Sequence, residues 1–233
     1  MAQHPDIDIL ARSELFRGVA LEALREVQAA ASRRRFAAGE TVFQQEDAAA
    51  MVYVVVVGRL RVTQTATDGQ QIIIRYLGPG EVAGYASLIG GDVYPGTVVA
   101  VDDSHLIAMP SGVLRDIMAR HASIAINAAQ LLGARYRDLQ VRLREMATEK
   151  VDRRIAHTLL RLAQQAGRRT ARGVEIVFPL SRQDLAEMCG TTLHTASRTL
   201  SGWEARGIVD SGRRRVVIAK PDLLRDLAEA DKE

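Results

Sequence analysis

The sequence predicts an α+β protein with three successive parts. These are an antiparallel β-barrel or jelly roll over residues 1–120, a long dimerisation helix over 121–148 and a winged helix-turn-helix over 149–233. Three observations predict this order: short β-rich runs between glycine turns, then an apolar helical repeat, then two short helical patterns joined by a glycine. With 233 residues the chain is long enough for two modest domains, each with its own core.

Composition is typical of a globular protein, with 47% hydrophobic and 25% charged residues, but the charge is unevenly distributed. Residues 1–110 carry 9 Lys and Arg against 13 Asp and Glu, whereas residues 111–233 carry 22 against 15. An acidic first half and a basic second half fit a control domain joined to a domain that binds a polyanion.

Several classes are disfavoured by what the sequence contains. Its single cysteine excludes an intramolecular disulfide and a multi-cysteine metal cage within one chain. The N-terminus carries Asp6 and Asp8 and has no long apolar run, so no signal peptide is expected. The most apolar segment, Met51–Val57, is too short to span a bilayer. We therefore expect a cytoplasmic protein with no membrane partner.

The first part begins with an expected amphipathic helix over about residues 13–30, followed by strands. Asp68-Gly69, between two strand-like runs, is the best hairpin signal in the chain. Glycine turns separate the β-rich runs, as expected for a small antiparallel barrel. The predicted strands are Thr41–Phe43, Val52–Val57, Leu60–Thr65, Ile72–Leu77, Thr97–Val101 and Leu106–Met109.

The pattern becomes helical from Ser111, which is expected to cap a short helix that runs to about Arg120. A longer helix follows to about Thr148, with apolar residues at alternating spacings of four and three. Such a seam suits either a helix packed on its own domain or a two-stranded dimer, and the flanking charges favour the dimer. The seam consists of Ala125, Ala129, Leu132, Tyr136, Leu139, Leu143 and Met146.

A helix over residues 149–166, a basic loop over Gly167–Gly173 and a strand over Val174–Phe178 precede the helix-turn-helix. Gly190 ends its first helix, because a residue without Cβ enters the left-handed conformation cheaply. Thr191 or Thr192 is expected to cap the second helix.

The second helix has two distinct faces. Ala196, Leu200 and Trp203 recur on one side, while His194, Ser197 and Arg198 fall on another and can face a partner. A turn at Ser211-Gly212 and the run Arg213, Arg214, Arg215 then predict a winged hairpin whose basic tip touches phosphates.

In this order of parts the chain resembles the CRP/FNR family of bacterial transcription regulators. The run LSRQDLAEMCGTTLHTASRTLSGWE within Leu180–Val209 is close to the family's C-terminal signature, and the Gly80-Glu81 turn is the second specific match. The resemblance implies a homodimer that binds double-stranded DNA at a two-fold symmetric operator and contacts RNA polymerase. The expected DNA-binding residues are Ser181, Arg182, Thr192, His194, Thr195, Ser197, Arg198, Arg213 and Arg214.

The recognition positions carry the finer prediction. Ser197 and Arg198 match the family pattern, whereas His194 replaces the family's usual Glu. Arginine can donate two hydrogen bonds to guanine O6 and N7. The HTxSR form resembles the subgroup linked to denitrification and nitric oxide response (the Dnr/NnrR-like branch).

The resemblance also locates an effector pocket at Gly80, Glu81, Tyr85 and Thr97. In cyclic-nucleotide-binding members a Glu holds the ribose and an Arg holds the phosphate; here Tyr85 and Gly96 stand at those positions. Burying a phosphate diester without a cation is costly, so we expect no cyclic nucleotide. The lone Cys189 excludes an iron–sulfur cluster.

Haem is the candidate cofactor that the nitric-oxide branch suggests. Candidate axial ligands are His4, His105, His121 and His157, of which His105 and His121 rank first as metal ligands. The alternatives to a haem-dependent regulator are a cAMP-type regulator and a ligand-binding regulatory subunit of an enzyme. No P-loop, paired catalytic carboxylates or HExxH motif is present, so the chain is not expected to be an enzyme.

Overall fold

The structure, a computed structural model, describes residues 5–229, which divide into two compact units. The first unit holds the described residues up to Gln70 together with Ile74–Asp138. The second holds Gln71–Ile73 and the described residues from Leu139 onward. The division falls inside the long helix, whereas the sequence predicts a separate helical segment; that three-part division stays a prediction.

Two four-stranded sheets form the first unit, with strand orders β1-β8-β3-β6 and β2-β7-β4-β5. The pairs β3–β8 and β4–β7 are antiparallel, which agrees with the predicted barrel or jelly roll. Apolar side chains such as Val55, Leu60 and Leu106 fill one cluster built from both sheets. The strands are β1 Ser32–Phe36, β2 Thr41–Phe43, β3 Met51–Val57, β4 Leu60–Thr65, β5 Gln71–Leu77, β6 Val82–Ala83, β7 Thr97–Ala100 and β8 Ser104–Pro110.

Helices pack on the outer face of the first sheet. Leu15, Phe16 and Ile124 join Val54 and Ile107 in a second buried cluster. Alternation along β3 explains the two clusters, since successive side chains point to opposite faces of a strand. The helices are α1 Pro5–Arg12, α2 Leu21–Ala30, α3 Ser111–Arg120 and α4 Ala122–Thr148, with a 3-10 helix at Tyr85–Ile89.

The predicted helix over residues 13–30 is wrong in its first part. Residues 13–18 form turns, and the helix begins only at Leu21. Gly18 has φ +72°, which a right-handed helix does not allow. The apolar residues that suggested a helix are nevertheless buried, because Leu15 and Phe16 have no exposed surface.

Ser111 does not cap α3, contrary to the prediction. It is the first helical residue, Pro110 occupies the N-cap position, and no side-chain hydrogen bond caps the helix. The Ser111 hydroxyl instead donates to the carbonyl of Ala49 at 2.9 Å. This bond fixes the start of α3 to the segment just before β3.

Two strands with polar sequences were not predicted. Strand β1 reads SRRRF, and Gly167–Thr170, predicted as loop, forms strand β9. Both lie at the edges of their sheets, and their residues are mostly exposed. Hydrophobic alternation is therefore weak in these strands, although backbone pairing is present.

The second unit is a winged helix-turn-helix, as predicted. Its sheet has the order β11-β12-β10-β9, and Ile155, Leu159, Leu185, Leu200 and Trp203 are buried. Its elements are α5 Val151–Ala166, β9 Gly167–Thr170, β10 Gly173–Ile176, α6 Arg182–Met188, α7 Leu193–Ala205, β11 Val209–Gly212, β12 Arg215–Ile218 and α8 Pro221–Glu229. No helix within residues 5–229 is long and apolar enough to cross a membrane.

Candidate nucleic-acid interface

A capping box opens the first helix of the helix-turn-helix. Ser181 Oγ accepts a hydrogen bond from the Asp184 N–H at 3.0 Å, and Asp184 Oδ2 accepts one from the Ser181 N–H at 2.8 Å. The pair satisfies two N–H groups at the helix start and fixes where α6 begins. Ser181, predicted to contact DNA, therefore also has a structural role in this helix.

The turn between α6 and α7 is fixed by its own backbone and by α5. Gly190 has φ +57°, as the sequence predicts for the end of α6. Arg154 Nε donates to the Cys189 carbonyl at 3.1 Å, and Arg154 Nη2 donates to the Gly190 carbonyl at 3.4 Å. These bonds satisfy carbonyls that the end of α6 leaves open and attach the turn to α5.

Cys189 is a small buried residue beneath this turn. It is 2% exposed, and its Sγ lies 3.3 Å from Thr158 Oγ1. Burial raises the pKa of the Cys189 thiol, while the hydrogen bond with Thr158 opposes the shift. The thiol form is therefore favoured at neutral pH, which suits a packing role.

The second helix, α7, separates a buried face from an exposed one. Thr192 Oγ1 accepts from the Thr195 N–H at 3.2 Å, which identifies Thr192 as the cap. Ala196, Leu200 and Trp203 are buried. On the opposite side His194 and Arg198 are exposed, while Thr195 and Ser197 are half-buried. The predicted separation of a buried face from an exposed face is therefore confirmed in the folded domain, and contact of the exposed face with a partner stays a prediction.

Arg198 lies on the exposed face of α7. Its side chain is exposed, and among the residues that the structure describes no hydrogen bond or ion pair engages its guanidinium. All five of its N–H donors are thus available to a ligand.

The wing places two further arginines next to the start of α6. Strands β11 and β12 pair from Gly212 opposite Arg215, so Arg213 and Arg214 form the two-residue tip. Both are exposed, and the carbonyl of Arg214 accepts from the Leu180 N–H at 3.1 Å. A cleft of about 550 Å³ lies here, lined by Ser181, Arg182, Ser211, Gly212, Arg213 and Arg214.

Arg214 adopts an unusual backbone conformation. Its φ of +60° lies in the left-handed region that favours glycine. A non-glycine residue there costs about 1–2 kcal/mol. An exposed positive charge is therefore kept at a position where glycine would be less strained.

Arg182, which the sequence predicts to contact DNA, is hydrogen-bonded inside the domain. Its Nη2 lies 3.1 and 3.0 Å from the two carboxylate oxygens of Glu204 and 3.0 Å from Ser211 Oγ. Its Nη1 donates to Ser201 Oγ at 3.1 Å. Arg182 thus differs from Arg198 in having both terminal nitrogens occupied.

The predicted effector turn contains a charged cluster that sequence reasoning missed. Glu81 forms ion pairs with Arg75 and, at 3.4 Å, with Arg135 of α4. Arg135 also lies 2.8 Å from both carboxylate oxygens of Glu14. Burial lowers the pKa of Arg75 from its ordinary value, whereas the charge of Glu81 opposes that shift. No spacing signal in the sequence joins these four residues, because they lie on separate elements.

The other residues of the predicted effector pocket lie in local turns and strands. Gly80 has φ +85° and its N–H donates to the Val55 carbonyl at 2.8 Å. Tyr85 is the first residue of the 3-10 helix, and Thr97 Oγ1 accepts from the Gln45 N–H at 3.0 Å. The hydrogen bond from Gly80 thus attaches the turn that contains Glu81 to β3.

Gly96, which the resemblance places at the position of the family's phosphate arginine, has no room for a side chain. A Cβ built there would lie 2.6 Å from the backbone oxygen of Thr63. An arginine at this position would require the backbone of β4 or of the loop before β7 to move.

The structure gives the surroundings of three of the four predicted haem ligands. His105 is exposed on β8, and His121 Nε2 lies 2.9 Å from a carboxylate oxygen of Glu26. His157 Nε2 lies 3.4 Å from Glu149, and His4 is outside the described residues. Within residues 5–229 no group of three or more His, Cys, Asp or Glu side chains is arranged to hold a metal ion. Haem ligation stays a prediction.

The predicted dimer seam is exposed on a single chain. Ile124, Ala128 and Leu131 of α4 are buried in the core of the first unit. Seam residues further along the helix are at least 42% exposed: Leu132, Tyr136, Leu139, Leu143 and Met146. The same helix therefore has a face that packs on its own domain and an apolar face that does not.

Comparison with known proteins identifies both units. Residues 33–121 match the family model of the cyclic nucleotide-binding domain, and residues 153–227 match that of the Crp-like helix-turn-helix domain. The Cyclic AMP receptor protein of Thermus thermophilus is 31% identical over 93% of this chain and 97% of its own length.

A further relative and a solved structure are similar over most of the chain. The Nitrogen fixation regulation protein FixK of Azorhizobium caulinodans is 31% identical over 92% of this chain and 88% of its own length. The structure of FixK2 from Bradyrhizobium japonicum has a TM-score of 0.76 at 24% identity, covering 87% of this chain and 99% of that one. The similarity thus extends along nearly the whole of each relative.

Proposed function

Because this chain belongs to the CRP/FNR family of DNA-binding transcription regulators, we propose that it acts as a homodimer on a two-fold symmetric operator. The observation that carries the proposal is the guanidinium of Arg198 on the exposed face of α7, which has no partner among residues 5–229. A helix-turn-helix offers this face to the major groove, and a symmetric dimer offers it twice.

Base recognition is assigned to the exposed face of α7. Arg198 donates to O6 and N7 of guanine, and Ser197 contacts the neighbouring base or phosphate. His194, where the family usually has Glu, reads the inner base of the half-site. Thr192 and Thr195, at the start of α7, are placed near the phosphate backbone, because helix N-termini favour anions.

Backbone contacts are assigned to the wing. Arg213 and Arg214 are exposed at its tip and carry two positive charges. Phosphate contacts of this kind position a protein on DNA without reading sequence. Each phosphate neutralised also releases counterions, so binding should weaken steeply as salt rises.

The dimer is assigned to α4. Its exposed apolar residues recur at the a/d spacing of a two-stranded coiled coil, and Leu143 is 70% exposed on one chain. Pairing two copies of this face would remove that apolar surface from water. Two recognition helices would then be related by two-fold symmetry, as a symmetric operator requires.

The effector is proposed to be something other than a cyclic nucleotide bound through the usual arginine. Gly96 cannot supply that cation, and the nearby Arg75 and Arg135 are already paired with carboxylates. The alternative, a cAMP-type regulator, is favoured by the 31% identity to the Thermus thermophilus Cyclic AMP receptor protein. Calorimetry with cAMP separates the two candidates.

The HTxSR run of α7 supports a finer proposal, membership of the nitric-oxide-responsive branch with haem as cofactor. Its test is a haem titration monitored by absorption, followed by nitric oxide. A Soret band that shifts with the gas supports it, and an absent Soret band removes haem but leaves DNA binding untouched.

Contact with RNA polymerase and a cytoplasmic location are part of the proposed role as a DNA-binding regulator, because the relatives are transcription regulators.

DNA binding itself is tested by mobility shift. An operator selected from random DNA should bind at a far lower protein concentration than a scrambled duplex of the same length. Specific binding is typically about 10³-fold tighter or more than non-specific binding. Equal affinity for both duplexes would contradict the proposal, and a regulatory subunit of an enzyme would show little affinity for either.

A further inference from the structure

One carboxylate joins the wing to the recognition helix. Glu204, in the last turn of α7, accepts hydrogen bonds from the Ser211 N–H at 3.1 Å and from the Ser211 hydroxyl. Ser211 belongs to β11, the first strand of the wing. The wing is thus attached to α7 two residues before its basic tip.

Arg182 extends this connection to the first helix of the motif. Its Nη2 contacts Glu204 and Ser211, and its Nη1 contacts Ser201 and, at 3.4 Å, the carbonyl of Ser197. Ser197 immediately precedes Arg198. The guanidinium of Arg182 therefore bonds to Glu204 and Ser211, which form the link. It also bonds to the Ser197 carbonyl, next to Arg198.

The charge on Glu204 is retained at neutral pH. Its partial burial disfavours ionisation, but hydrogen bonds from Ser211 and the charge of Arg182 outweigh this and hold the pKa of Glu204 below its usual range. The link is therefore an ion pair reinforced by hydrogen bonds, and its donors are matched to its acceptors.

We propose that Arg182 and Glu204 are positioning residues that hold the wing arginines at a fixed distance from Arg198. The major-groove contacts of Arg198 and the phosphate contacts of the wing arginines then come from one rigid unit. The wing adds to DNA affinity only while Glu204 holds it in place. The proposal rests on the proposed function, because it concerns how the DNA-binding surface is assembled. It differs from direct phosphate contact by Arg182, since both terminal nitrogens of that side chain face protein acceptors.

The test is the salt dependence of operator binding in Glu204→Gln, a variant that keeps the shape of the side chain and removes its charge. We expect the slope of log K against log salt to become shallower by about 0.9 for each phosphate that the wing no longer neutralises. Hydroxyl-radical protection should disappear at the wing phosphates and persist in the major-groove half-sites. The loss of negative charge at Glu204 cannot by itself explain weaker contact between the wing and DNA, because removing a carboxylate that repels phosphates would strengthen DNA binding.

A double-mutant cycle ties the effect to the wing. In a chain that already carries Arg213→Ala and Arg214→Ala, Glu204→Gln should change the slope little, because the side chains that it positions are absent. Additive effects in the cycle would overturn the proposal. Asp222→Asn is the matched control, since it removes an exposed ion pair with Arg225 on α8 and should leave the slope unchanged.

Folding is monitored by the fluorescence of Trp203, which is 5% exposed in α7. If Glu204→Gln does not fold, the cycle is repeated with Ser211→Ala, which keeps the Arg182–Glu204 pair and removes the hydroxyl link. A smaller change in the same direction supports positioning, and a wild-type slope overturns it. Loss of operator preference in the wild-type protein would instead refute the proposed function, so the two failures are distinguishable.

Discussion

Arg198 and Arg182 have the same side chain and different surroundings, and this difference separates their roles. Arg198 is exposed without a partner in the described part of the chain, whereas Arg182 donates to three side chains. A planar guanidinium whose N–H donors are unoccupied can hydrogen-bond to guanine, whereas one whose donors are occupied can only position the residues that it contacts. Sequence reasoning places both in one DNA-binding group, because spacing alone does not reveal which donors are occupied.

Replacing Arg198 should remove base discrimination while the dimer persists. Arg198→Ala is expected to cost about 1–3 kcal/mol of operator preference for each half-site. Arg198→Lys, which keeps the charge, should preserve non-specific affinity and still abolish most of the preference. The measurement is the ratio of operator to scrambled-duplex affinity. Arg206→Ala, at the exposed C-cap of α7, is the control, and an equal effect there would contradict the assignment.

Arg214 should show opposite effects on stability and binding. Arg214→Gly relieves the left-handed strain, and the added freedom of the unfolded chain offsets part of the gain, so unfolding should become harder by at most about 1 kcal/mol. Operator affinity should fall, because one phosphate per subunit is no longer neutralised. Urea unfolding and a mobility shift measure the two. A clear drop in stability would show that the tip is not strained.

At the scale of elements, α4 is expected to hold the dimer together. Leu143→Asp should weaken dimerisation by more than about 100-fold, since a charge buried in an apolar seam costs several kcal/mol. The free energy of unfolding of one chain should change little, because Leu143 is 70% exposed there. Sedimentation equilibrium measures the change.

Val113→Asp is the control for α4. Val113 is also an exposed apolar residue, at 43% against 70% for Leu143, and lies on α3 outside the seam. A variant at this position should remain dimeric. Dissociation by Val113→Asp and not by Leu143→Asp would move the interface away from α4.

The elements also show how far sequence patterns reach. Periodicity predicts α4, α7 and most β-strands, because their side chains alternate between buried and exposed faces. It fails at β1 and β9, whose exposed polar residues are held by backbone pairing at sheet edges. Periodicity also wrongly extends α2 back to residue 13. Leu15 and Phe16 are fully buried, but they lie in turns and not in a helix.

The candidate site divides in the same way. The cap at Thr192, the left-handed Gly190 and the basic tip of the wing depend on local chemistry, so the sequence predicts them. The Arg182–Glu204–Ser211 link and the Arg75–Glu81–Arg135–Glu14 cluster join residues distant in sequence. Such contacts depend on tertiary packing, which a single sequence without periodic signals does not reveal.

At the scale of the whole molecule, stability should fall in acid. Hydrogen bonds and charge from Arg215, then Arg168, lower the pKa of Glu175, and the pKa of Glu204 is lowered despite its burial. Carboxylates with a folded pKa below the unfolded value stabilise the fold above that value, and this contribution disappears as pH falls through the folded pKa. We therefore expect urea unfolding to become easier below about pH 4.5.

Variants show whether these carboxylates are responsible. Glu175→Gln and Glu204→Gln should flatten the decline in unfolding free energy between about pH 5 and pH 3. An unchanged pH profile in both variants would assign the acid sensitivity to other groups.

Effector specificity is a second property of the whole molecule that can be tested. Titration with cAMP should give no micromolar binding heat, because Gly96 supplies no cation and its environment leaves no space for one. Introducing the arginine that the resemblance leads one to expect there, with Gly96→Arg, should not create binding either, since its Cβ would meet the Thr63 backbone at 2.6 Å. Saturable micromolar binding by the wild type would favour the cAMP-type alternative.

Recognition of DNA sequence by two copies of Arg198, related by two-fold symmetry, is the property on which the proposed function depends. It is tested most directly by measuring the mass and affinity of the complex with a selected palindromic operator and with the same duplex after one half-site is scrambled. We expect two chains per duplex and a large drop in affinity on scrambling, a drop that Arg198→Ala abolishes. One chain per duplex, or equal affinity for both duplexes, would contradict it.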